Sequence, residues 1–186
     1  MSRSPSREDP LVRSVTTWLG GPIGACARLG ASWWTPLVVL FLVTTATFAV
    51  GMAQKGPCHE AGWPGDRQEA YTKLCYSDVA YLYRERGFAD GNRAYVDRGE
   101  YPALEYPVLT GAVMQVAATM THWIGNGNPG HDSVVFFDIT VVILFGFALL
   151  TIWLLSRIVP GRPYDAMFVA AAPTLALAGT INWDLV

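Results

Sequence analysis

Residues 134–156 read VVFFDITVVILFGFALLTIWLLS. Asp138 near the start is the one charge, and the 18 residues from Ile139 to Ser156 have none. A helix needs about 20 residues to cross the hydrocarbon of a bilayer, so an uncharged apolar run of about 18 marks a membrane span. Trp153 falls near the far end, where interfacial aromatics collect. Working outward, three more runs lack Asp, Glu, Lys and Arg: Leu29–Gln54 with 26 residues, Tyr106–Gly130 with 25 and Ala166–Trp183 with 18. Only 15% of the 186 residues are charged, against about 25% in an ordinary soluble domain. Four such runs exclude a soluble globular domain and predict an all-α polytopic membrane protein.

The spans are placed at 33–53, 106–124, 134–156 and 166–183, the last broken by Pro173. Residues 1–32 are polar, then Gly-rich. They are expected to form a disordered cytoplasmic lead-in, with Arg3, Arg7, Arg13 and Arg28 holding the N-terminus inside by the positive-inside rule. The segment 106–124 is ambiguous, because it is short and carries Thr110, Gln115, Thr119, Thr121 and His122. If it crosses, the uncharged 125–133 connector is cytoplasmic and the Arg-bearing 157–165 connector is outside, the reverse of the usual charge bias. If it re-enters, the charges fall correctly. Both topologies stay open at this point.

Between the first two spans, residues 54–105 form one long polar loop. Seven of the eight tyrosines lie between Tyr71 and Tyr106, and seven of the thirteen Lys and Arg between Lys55 and Arg98. GPCHEAGWPGD (56–66) is turn-rich by its Gly and Pro content. QEAYTKLCYSDVAYLYRER (68–86) has neither, and predicts an amphipathic interfacial helix closed by Gly87. Tyr71, Leu74, Cys75, Asp78, Tyr81 and Leu82 would share its apolar face. Cys58 and Cys75 are a disulfide candidate. They pair if the loop lies outside the cytoplasm, worth about 3 kcal/mol by loop-closure entropy, and remain thiols if it faces the cytosol.

Asp78 is the sharpest site candidate, since a carboxylate on an apolar face is either paired or functional. Partial burial would make it a better general base. Arg84, Arg86 and Arg93 have the chemistry to grip an anionic phosphate, although such residues commonly form a solvated face. Tyr81 and Tyr106 could stack on a sugar ring or anchor the interface. Glu105 suits a helix start. His59, His122 and His131 show no metal-ligand spacing, so no metal or resident cofactor is expected. No Lys/Arg block points to nucleic acid.

In order along the chain, Asp78 with its aromatic-rich helix, Gly91 through Tyr95 and Glu105-Tyr106-Pro107 resemble the loop of a GT-C-type membrane glycosyltransferase. FFDIT, GRPYDA and INWDL extend the likeness over roughly residues 30–186. The resemblance is to glycosyltransferase family 87, the polyprenyl-phosphate-mannose-dependent mannosyltransferases, in its actinobacterial branch. It departs at Val108, where family members carry a second proline. It implies inverting transfer of a sugar, mannose in the family, from a polyprenyl-phosphate donor to an extracytoplasmic glycan or glycolipid. On that reading Asp78 is the base, the loop arginines steady the departing phosphate and the tyrosines shape the sugar pocket. Family members are about twice this length, so the chain corresponds to an N-terminal fragment, and whether that piece alone is active stays open. The expected location is the plasma membrane, crossed several times. The competing readings are a small transporter component, with Asp138, Pro173 and Asp184 along a path, and a non-catalytic membrane scaffold.

Overall fold

The computed structural model describes Pro10 and residues 35–63, 67–97, 99, 101–158 and 162–186. The lead-in expected over 1–32 therefore falls, Pro10 apart, outside the described residues, as do Trp33 and Trp34. Among the described residues the chain is helical with no strand. In order the elements are α1 (Pro36–Glu60), α2 (Arg67–Thr72), α3 (Asp78–Glu85), a 3-10 turn (Phe88–Asp90), α4 (Val108–Ile124), α5 (Pro129–Ile158), a second 3-10 turn (Pro163–Ala166), α6 (Met167–Ala170) and α7 (Pro173–Ala178).

Two of these, α1 and α5, are long and apolar enough to cross a membrane. Each starts on a capping residue followed by proline, whose missing N–H costs nothing in a first turn. The Thr35 hydroxyl accepts from the Val38 N–H at 3.4 Å. The Asn128 side chain accepts from the N–H groups of Gly130 and His131 at 3.0 and 3.2 Å. The two helices run antiparallel. Trp63, just past α1, packs at a tilt on Phe137 at 4.8 Å, Phe48 meets Phe145 at 5.3 Å, and Leu40 shares a cluster with Ile152.

From that last end the chain climbs back. Ala166 and Ala170 complete the cluster of Leu40 and Ile152, and α7 then lies against Gly51, where a Cβ would overlap the Ala176 carbonyl. Only glycine permits so close an approach of backbone to helix. The climb ends at Ile181, whose carbonyl accepts from the Asp78 N–H at 2.7 Å. The described residues of 67–107 thus form a cap over one end of a shaft made by α1, α5 and the returning segment.

The structure corrects three expectations about elements. The continuous helix predicted over 68–86 is two helices, broken at residues 73–77. Leu74 adopts a positive φ of 56°, and Cys75 is drawn to Cys58 in a disulfide with Cα atoms 5.7 Å apart. The apolar face expected on that helix is accordingly divided. Tyr71 and Leu74 stand exposed while Val79 through Tyr83 are all buried, so α3 is a core helix rather than an interfacial one. Second, the turn-rich reading of 56–66 fails in its first half, because α1 continues through Gly56 and Pro57 to Glu60. Third, no single helix covers 166–183. Two short helices meet at Ala171–Ala172, since Pro173 takes the first-turn position of α7 and cannot continue α6. The glycine closure does occur: Gly87 follows α3 with a φ of 71°.

Candidate functional site

α3 begins where it does because Ser77 caps it. Ser77 has extended backbone, its Oγ accepts from the Val79 N–H at 3.3 Å, and the same hydroxyl donates to the Thr180 carbonyl at 2.7 Å. The cap and the Ile181 contact together seat Asp78 at the junction of loop and shaft, half-buried. The Tyr76 hydroxyl donates to its carboxylate. Tyr76 itself lies in a stack between Tyr71, with centroids 4.5 Å apart, and Tyr81, at 5.4 Å, while the Arg67 guanidinium covers the Tyr81 ring at 5.3 Å. Burial, then the bond to Asp78, pushes the Tyr76 hydroxyl well above the usual tyrosine range, so it stays a neutral donor at pH 7.

Tyr106 stands nearby, edge-on to Trp183 at 5.5 Å. Its hydroxyl is raised by burial first and then by the carboxylates of Asp78 and Asp184, with Arg86 pulling the other way. With Glu105 adding a smaller upward push, three acids and one guanidinium act on a single phenol. The Arg86 side chain is largely buried, its Nε has no protein hydrogen-bond partner, and one Nη lies 4.0 Å from the exposed Glu105 carboxylate. Beside it opens a cleft of about 240 Å³ lined by Phe88, Asn92, Tyr95, Tyr101 and Leu104. Chemically, Asp78 is a half-buried proton acceptor that shares the Tyr106 phenol with the Arg86 guanidinium, and Arg86 keeps donor capacity to spare.

The remaining predicted site residues are not brought here. Arg84 points into the joint between cap and shaft, donating to Ser133 Oγ at 2.8 Å and to the carbonyls of Gly62 and Pro129 at 3.2 Å each. Arg93 is exposed and holds Asp97 in a two-pronged pair at 2.9 and 3.2 Å. The expected arginine cluster therefore does not form, because Arg84 and Arg93 already have partners of their own. Asp138 Oδ1 accepts from His59 Nε2 at 2.9 Å, linking α5 to α1. His122 reaches the Phe88 carbonyl at 2.9 Å. Among the described residues no three His, Cys, Asp or Glu side chains converge as a metal site would require.

Sequence reasoning passed over Tyr76, Trp183 and Lys55. Lys55 is 2% exposed inside α1 and donates from Nζ to the Tyr76 carbonyl at 2.7 Å, fixing the turn that carries the tyrosine stack. The Ser77-Asp78 pair was the available signal, since a serine before a helical run marks a start and would have placed Asp78 in a first turn. Nothing local foretold the contact of Tyr106 with a tryptophan 77 residues later. No protein-family model, no curated protein and no solved structure matches the chain.

Proposed function

We propose that the chain is the loop-bearing part of a GT-C-type membrane glycosyltransferase. It would transfer a sugar, mannose by the resemblance stated above, from a polyprenyl-phosphate donor to an extracytoplasmic glycan or glycolipid. The observation that carries the reading is the position of Asp78: half-buried, hydrogen-bonded by Tyr76, close enough to Tyr106 to act on its phenol as Arg86 does, and mounted where two helices able to cross a membrane end their apolar lengths. Such a place suits a reaction between a donor held in lipid and an acceptor reached from water.

In the proposed step the acceptor hydroxyl oxygen forms a bond to the anomeric carbon on the face opposite the phosphate. Its proton passes to the Asp78 carboxylate, and the bond from the anomeric carbon to the phosphate oxygen breaks. The electron pair leaves on the lipid phosphate. Arg86, with an unpartnered buried Nε, is the arginine suited to that anion. Arg84 is better assigned to holding the cap. The Cys58–Cys75 bond supports a loop in an oxidising compartment outside the cytoplasm, and Arg157 at the opposite end of α5 suits a cytoplasmic face.

The test is transfer from a radiolabelled polyprenyl-phosphate sugar in membranes carrying the complete protein. Asp78→Asn is expected to lower transfer by about two to four orders of magnitude, the usual size of a general-base contribution, with insertion and the disulfide intact. Transfer at the unsubstituted rate would remove Asp78 from the mechanism.

A further inference from the structure

α4 has no charged side chain from Val108 to Ile124 and is apolar on both sides. Met114, Ala117 and Ala118 are buried in one cluster with Phe136, Phe137 and Val141 of α5, Thr121 is buried, and Gly111 is covered by the Tyr95 ring. On the other side Leu109, Val116, Met120 and Trp123 are exposed, Trp123 by 82%. Their spacing of 7, 4 and 3 residues keeps them on one helical stripe. An uncovered apolar stripe of this length marks a surface that something occupies.

The path of the chain excludes a crossing. At the C-terminal end, the N–H groups of Asn126 and Gly127 both donate to Asp132 at 3.1 Å, clamping α4 to the first turns of α5. At the N-terminal end, the Tyr95 hydroxyl donates to the carbonyls of Tyr106 and Pro107 at 2.7 and 3.0 Å, and Gln115 accepts from the Ala94 N–H at 3.0 Å. Tyr106 rests on Trp183, next to the segment that binds Asp78. The N-terminal half of α4 is therefore tied to the cap and its C-terminal end to the cap-side end of α5, both on one side of the shaft. Its 17 residues would also span only about 26 Å standing upright, short of the roughly 30 Å of hydrocarbon.

We infer that α4 is an interfacial helix, with the stripe from Leu109 to Trp123 set into the boundary between lipid headgroups and acyl chains on the cap side. The occupant is lipid because of depth. The charge-free lengths of α1 and α5 end at Gln54 and Ile139, so the cap begins where the exposed apolar surfaces of those helices, Val50 on α1 and Val142 on α5 among them, leave the bilayer. With no Lys or Arg on α4, its contact is hydrophobic and needs no anionic headgroup. The inference holds whatever the role of Asp78.

The full chain in phosphatidylcholine vesicles provides the test. Cys26→Ser removes the cysteine outside the disulfide, and L109C, V116C, T119C or W123C then carries an environment-sensitive fluorophore. Retention of the Cys58–Cys75 bond reports folding in each variant, and T119C covers the far half of the stripe should W123C not fold. The expected result is quenching at every position by a nitroxide near the headgroup and none by one deep in the acyl chains, without added anionic lipid. Deep quenching at V116C, with L109C and W123C reached by impermeant reagent from opposite sides, would establish a crossing and overturn the inference. Quenching by aqueous iodide alone, or by neither type of quencher, would place the stripe in water or against protein and overturn it equally.

Discussion

The shaft and the cap are held together in different ways. In the shaft, long apolar helices meet over many interchangeable contacts, such as Phe48 with Phe145 and Leu40 with Ile152. In the cap, short helices are positioned by a few specific links over long sequence distances: the Cys58–Cys75 bond, Lys55 to Tyr76, Arg84 to Gly62, Pro129 and Ser133, and Ser77 to Thr180. Dispersed packing tolerates substitutions of similar volume, usually for less than about 1.5 kcal/mol. A link that is the sole anchor of a turn does not.

That contrast breaks first at the disulfide. Cys75→Ser should cost about 3 kcal/mol and expose the break between α2 and α3 to protease. Thermal unfolding in detergent, with and without reductant, measures both effects, and an unchanged midpoint would show that the cap stands without the bond. Next comes Arg84→Ala, which removes the side-chain donor from the Gly62 carbonyl and from Ser133 Oγ and leaves the Pro129 carbonyl only its bond from Ser133. About 2 kcal/mol is expected for loss of a charge-assisted bond, and Arg84→Lys should restore little, since one ammonium cannot copy the guanidinium fork.

Gly87→Ala is the third test, expected to cost about 1 to 2 kcal/mol from the left-handed backbone. A Cβ there would also meet the Tyr101 ring. Combining it with Tyr101→Ala should recover the steric part alone, which urea unfolding of the pair would show. The smallest effect belongs to Arg93→Ala. Its pair with Asp97 is exposed and screened, so the melting midpoint should not move. A large drop there would mean the exposed edge of the cap carries more of its stability than the joint does.

Legibility follows the same division. The apolar lengths of α1 and α5 could be read directly, because a missing charge over 18 or more residues is a property of the local sequence. The loop was legible as a polar, tyrosine-rich unit, and Asp78 stood out within it. Its internal geometry was not. Helical spacing put Tyr71, Leu74 and Asp78 on one face, but that argument assumes an unbroken helix, and the bond at Cys75 breaks it. Arg84, Arg86 and Arg93 look equivalent in the sequence. Burial separates them: Arg84 ties the joint, Arg86 borders a cleft and Arg93 faces solvent.

What this sequence determined by itself is which lengths are apolar enough to cross a membrane, since hydropathy sums locally and needs no partner. What only the tertiary structure decided is which polar groups meet. Tyr76 reaches Asp78, Ile181 returns to the start of α3, and α4 is tied to the cap at one end and to the start of α5 at the other. These contacts depend on how an antiparallel shaft brings distant segments to the same end, and residue spacing along the chain carries no record of that.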